Sequence, residues 1–118
     1  MKADFADLVG VPYANRDCYA VVRDALRRLG IELPMDAAMC LCECMTDPIA
    51  IDVPMSEVCR LGDVLWIRNA DQTHHVGMAL DAFTFLHATR GGHSRIDRID
   101  LWRRARLVWR VMRPKELV

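Results

Sequence analysis

Cys18, His75 and His87 are the residues of this 118-residue chain whose types and positions fit nucleophilic chemistry. Cys18 opens the run "DCYAVVRDALRRLG", directly after Asp17. A helix N-terminus carries unpaired N–H groups and about half a positive charge, and both favour a thiolate. Such a nucleophile also needs a base, usually histidine. The plainer alternative is packing, because free cysteine is among the most buried residue types.

His74 and His75 are neighbours in "HHVGMAL", which reads as a strand, so they point to opposite faces. His74 goes with Val76, Met78 and Leu80, whereas His75 goes with Gly77 and Ala79. The small residues leave room for a helix to approach, which selects His75 as the partner of Cys18. His87 falls in "FTFLHAT" on the next predicted strand, where it would sit beside His75 across a hairpin. A histidine that orients the base would complete a Cys–His–His constellation. His93 lies in a glycine-rich turn and reads as a surface residue.

These residues need a helix and a sheet to position them. Cys18, Val21, Val22, Ala25, Leu26 and Leu29 recur at helical spacing and predict a helix over 17–29. Asp17 is a natural N-cap, and Gly30 suits the left-handed residue beyond the C-terminus. Residues 35–45 read as a second helix, followed by a short extended piece, "IAIDVP". Strands are predicted at 63–68, 74–80, 83–89 and 106–113, with a two-residue link at Asp81-Ala82. "RIDRI" suits a further strand and "LWRRA" a helical turn. Helices first and an antiparallel meander second make an α+β protein, with residues 1–118 as a single domain.

Five cysteines without a regular pairing pattern favour free thiols over a disulfide framework. Cys40, Cys42 and Cys44, with Cys59 farther on, raise the possibility of a zinc–thiolate site, but structural zinc prefers C-x2–4-C pairs. No metal or other cofactor is therefore expected. Asp47 and Asp52, or Asp97 and Asp100, can be paired on paper as acids, yet nothing in the sequence puts either pair in a pocket, and they read as surface residues. No apolar run is long enough to span a membrane, and "MKADFADLVG" has no signal-peptide core. The expectation is synthesis in the cytoplasm without a leader. Net charge is zero, but residues 1–59 carry −5 and residues 60–118 carry +5. Attraction between the halves and solvated faces account for that split, and no nucleic-acid-binding motif accompanies it.

The segments "GVPYANRDCYAVVRDALRRLGIELP", "LGDVLWI", "HHVGMAL", "FLHAT" and "WRRARLVWRVMRP" together resemble the NlpC/P60 cysteine peptidases. The closest likeness is to the branch found in phage tails and prophages. The resemblance implies a stripped-down papain-like fold, with the cysteine helix packed on an antiparallel sheet that carries the histidines. It also implies Cys18 as nucleophile, His75 as base and His87 as the third polar residue. Tyr13 of the "PY" segment, with Asp17 close by, would serve the oxyanion and substrate. The implied substrate is the peptidoglycan stem peptide, cut between γ-D-glutamyl and a diamino acid, and phage tail proteins are the implied partners in a virion tail. Tyr19-Ala20 follow the nucleophile where the family has a small or aromatic residue and then glycine, so specificity is expected to differ there. Three other readings are kept. One is a non-catalytic tail or cell-wall interaction module on the same fold. Another is a papain-like amidase or acyltransferase with a different substrate. The last is a zinc–thiolate interaction protein.

Overall fold

A computed structural model of the chain describes residues 4–33, 49–69 and 74–118. The second predicted helix, with Cys40, Cys42 and Cys44, lies outside the described residues. A short 3-10 turn, Ala6–Leu8, leads into a loop and then helix α1, Cys18–Arg28. Among the described residues six strands follow: β1 Ala50–Val53, β2 Val64–Arg68, β3 His74–Ala79, β4 Thr84–Ala88, β5 Ser94–Arg98 and β6 Val108–Pro114. Helix α2, Ile99–Arg104, joins β5 to β6.

Helix α1 forms where its sequence pattern places it. The Asp17 side chain accepts a 2.8 Å hydrogen bond from the Ala20 amide and so satisfies one of the free donors of the first turn. At the far end Gly30 has φ +78°. There the Ile31 amide bonds to the Leu26 carbonyl and the Gly30 amide to the Arg27 carbonyl. This pairing closes the helix and needs a left-handed residue, hence glycine.

The strands form one antiparallel sheet in the order β1-β6-β2-β3-β4-β5. Strand β6 returns to insert between β1 and β2, a long-range pairing that local pattern does not reveal. The link between β3 and β4 is longer than the predicted two residues. Asp81 organises it, its Oδ1 accepting from the amides of Phe83 and Thr84, both at 2.8 Å. This short aspartate-centred turn takes residues out of the strand ladder.

Each sheet face buries its own core. Helix α1 covers Val64, Trp66, Val76, Met78, Leu86, Ala88 and Met112. The opposite face gathers Leu65, Ile67, Ala79, Phe85 and Val111 under Ile99 and Trp102 of α2. Alternation along β3 therefore sends Val76 and Met78 to the helix and puts His75, whose cross-strand partner is Ile67, on the α2 side. The expectation that α1 lies over Gly77 and Ala79 is corrected here. The room beside Gly77 is filled by Phe85: a Cβ on Gly77 would stand 2.6 Å from the Phe85 ring. Large apolar residues, not small ones, supply the surface that a helix buries.

Candidate active site

Cys18 is the first residue of α1 and is 2% exposed. Its thiol is held by the backbone N–H groups of Val76 and Tyr19 and by the Tyr13 hydroxyl. Val76 is a telling neighbour. Strands β3 and β4 are paired only from Gly77↔His87 onward, whereas β3 stays paired with β2 through His75 and His74. The nucleophile candidate is thus bonded to the stretch of β3 beyond its pairing with β4, one residue from His75. Cys18 reaches β3 from the helix side, and His75 projects from the other side of the same strand.

Tyr13 is placed by the loop before the helix. That loop lies along the start of β5: the Ser94 amide bonds to the Val11 carbonyl at 2.8 Å, and the Tyr13 amide to the Gly92 carbonyl at 3.0 Å. Burial, and then the charge of Cys18, push the Tyr13 hydroxyl above its usual pKa, so it stays protonated and can donate. It also bonds to Arg90.

His75 and His87 stand together as the hairpin reading expected. His75 Nε2 and His87 Nδ1 are 2.6 Å apart. His87 is fully buried, with its ring stacked on Phe85 at 4.5 Å and meeting the edge of Trp102 at 5.0 Å between centroids. Its other nitrogen, Nε2, lies 2.6 Å from Asp97 Oδ2, and that same oxygen accepts from Arg95 Nε at 2.8 Å. Asp97 is therefore no idle surface acid, as the sequence suggested. The β4–β5 register pairs His87 with Arg95, and Asp97 follows two residues on, on the same face. Trp102 likewise went unnoticed in the sequence. Only the β5–α2 connection, which folds α2 over this face, shows its place.

Electrostatics follow from this burial. His75 is pushed down to about 3, chiefly by burial and then by the facing His87 and Arg95. Burial also lowers His87, and the Asp97 hydrogen bond offsets only part of that. For Asp97, burial raises the carboxyl, but the bonds from His87 and Arg95 together hold it below its usual value. Burial raises the Cys18 thiol, and the Asp17 charge adds to this. Loss of solvation thus opposes the thiolate that a helix N-terminus favours. Burial works against the charged form of both the Cys18 thiol and the His75 imidazole.

A cleft of about 330 Å³ opens over this group, lined by Tyr13, His75, Thr89, Arg90 and Trp102 among others. A second hollow is bordered by Tyr13, Asn15, Asp17, Tyr19 and Ala20. Tyr19-Ala20, the pair that departs from the family pattern, therefore border this hollow beside Tyr13. His93 bridges Pro12 at the loop. Cys59 is a buried thiol within 3.4 Å of an Arg103 nitrogen. Among the described residues no group of three His, Cys, Asp or Glu could hold a metal. No helix among them is long and apolar enough to cross a membrane.

No curated protein matches the chain. Among solved structures it is similar to the NlpC/p60 domain of the peptidoglycan hydrolase SagA, at 20% identity and a TM-score of 0.55. That match covers 83% of this chain and 86% of the other, and at this identity it establishes the shared fold. The model of the NlpC/P60 family matches residues 8–111, a stretch that includes Tyr13, Cys18, both paired histidines and Asp97; the chain belongs to the NlpC/P60 family.

Proposed function

We propose that this protein is a cysteine peptidase of peptidoglycan stem peptides, working by a Cys18–His75–His87 thiol mechanism. The observation that carries the reading is the union of two features. A cysteine at a helix N-terminus is bonded to the backbone of β3, and a buried, hydrogen-bonded histidine pair starts one residue away on that strand. A packed core has no need of two hydrogen-bonded histidines and an acid under a cleft. Each buried polar group must be satisfied at some cost, and such networks are retained where they serve chemistry.

The chemistry runs as acyl transfer. His75 takes the Cys18 proton as the sulfur attacks the scissile carbonyl, giving a tetrahedral oxyanion. The Tyr13 hydroxyl and the backbone N–H groups about Cys18 are the donors for that oxyanion. The His75 imidazolium gives its proton to the departing amine, leaving a thioester. Water, deprotonated by His75, then releases the acid and restores the thiol. His87 holds the His75 ring throughout. The amide between γ-D-glutamyl and a diamino acid is the bond we assign. Stem peptides carry carboxylates, and Arg90 gives the cleft a matching cation. A phage-tail setting is the context we favour, on the run "GVPYANRDCYAVVRDALRRLGIELP".

The test is digestion of purified muropeptides with mass analysis of the products. Wild type should release fragments ending at γ-D-glutamate, and Cys18→Ala should release none while keeping its circular dichroism. Full activity in Cys18→Ala would overturn the assignment.

A further inference from the structure

We propose that Asp97, braced by Arg95, is a positioning residue that orders the protons along the His87–His75 pair, so that His75 presents Nδ1 as an unprotonated base. The inference rests on the peptidase reading above and names a residue that the Cys–His–His constellation does not include.

The geometry allows one proton order. Asp97 Oδ2 accepts from Arg95 Nε at 2.8 Å, and the guanidinium keeps the carboxylate ionised, hence an acceptor only. His87 Nε2, 2.6 Å from that same oxygen, must then carry the hydrogen. A neutral imidazole has one N–H, so His87 Nδ1 is an acceptor. His75 Nε2, 2.6 Å from His87 Nδ1, must therefore be the donor. The remaining nitrogen, His75 Nδ1, is left with its lone pair and is the atom free to take a thiol proton. His87 is fully buried between Phe85 and Trp102, and no bulk water competes to scramble this order.

The carboxylate matters because the pair by itself is indifferent to direction. The hydrogen between the histidines can sit on either one. If it sits on His87 Nδ1, His75 carries its own hydrogen on Nδ1 and cannot act as base. Removing Asp97 also frees Arg95, a donor at the same spot, which then favours an acceptor at His87 Nε2 and the reversed order. When His75 becomes imidazolium in the reaction, the Asp97 charge, relayed through His87, stabilises it as a neutral histidine alone does not.

Two readouts test this in Asp97→Asn and Asp97→Ala. The first is the tautomer of His75, read from 15N–1H correlations of the imidazole in a Cys18→Ala background. The form with hydrogen on Nε2 is expected with Asp97 present, and substantial hydrogen on Nδ1 in both variants. The second is muropeptide kinetics with Cys18 intact. There kcat should fall at least tenfold with KM within about twofold, because substrate binding does not use Asp97. A His75 that stays in the Nε2–H form in both variants, or a kcat equal to wild type, overturns the proposal. The two readings fail separately. A wild-type protein that cuts no muropeptide sinks the peptidase assignment, and the NMR result still judges the proton order.

Discussion

At the residue scale, a buried histidine pair is tied to one carboxylate, and burial works against the charged forms of both histidines and of the Cys18 thiol. Cys18 and His75 stand out in the sequence as candidates through residue type, helix position and family motif, whereas the parity argument for His75 assumed a helix over Gly77 and Ala79, which the fold corrects. Asp97 was not legible. Its part depends on the β4–β5 register, which sets Arg95 opposite His87 and Asp97 two residues on, and sequence alone leaves that register open. The influence of burial on the thiol was not legible for a related reason. A helix N-terminus can be read from sequence, but the depth of burial that opposes it cannot. The consequence is a distinctive pH profile. The productive state holds one proton on the Cys18–His75 pair. A second proton must go onto His75, which is held near 3 against an ordinary 6.5, and the last proton leaves a thiol raised above 9.0. The profile of kcat/KM on muropeptides should therefore be flat from about pH 6 to 8, with its acid limb well below 6.5. An acid limb centred near 6.5 would show that His75 behaves as an ordinary solvated imidazole.

At the element scale, α1 and the strands were readable because periodicity, caps and turn residues agree along each segment. Helix α1 runs from 18 to 28 within the predicted 17–29, and β2, β3 and β4 fall within a residue or two of expectation. Which face of β3 the helix covers was not readable from residue size. Gly77 invited the helix in the sequence, yet in the fold it accommodates Phe85, the ring on which His87 stacks. The insertion of β6 between β1 and β2 also lay beyond local pattern, since it joins residues far apart in the chain. Asp17 has two separable effects at the start of α1. Its side chain caps the helix at Ala20, and its charge raises the neighbouring thiol. Asparagine caps about as well as aspartate but carries no charge. Asp17→Asn should leave unfolding free energy within a few tenths of a kcal/mol of wild type and shift the pH midpoint of Cys18 alkylation downward. Asp17→Ala should lose about 1 kcal/mol. Equal alkylation profiles for Asp17→Asn and wild type would show that the charge of residue 17 does not reach the sulfur.

At the scale of the whole molecule, one sheet separates two cores: the histidine pair packs against Trp102 on the α2 side, while the helix that starts at Cys18 covers the other face. The opposite charges of the two chain halves are joined in part across the sheet and its edge. Arg110 of β6 pairs with Asp52 of β1, and Arg113 pairs with Glu57 as well as with the buried Asp63. The histidines make the fold itself sensitive to acid. Unfolded, His75 takes up a proton as pH falls through about 6.5, whereas in the fold it stays neutral down to about 3. His87 is displaced in the same direction by its burial. The unfolded chain therefore binds more protons below pH 6.5, and stability must decline as pH drops from there toward 3. Each histidine held neutral contributes a slope approaching about 1.4 kcal/mol per pH unit once its unfolded form is protonated. The carboxylate partner, Asp97, adds to the loss only at lower pH, since it is held below its usual value. Urea unfolding between pH 7 and pH 5.5, above the usual carboxylate range, should show stability falling. The slope should shrink by about one proton in His75→Gln, where one of the two buried imidazoles is gone. A wild-type stability that is constant from pH 6.5 to 5.5 would mean that the histidines titrate alike in both states, and that the pair is not sealed from water between Phe85 and Trp102.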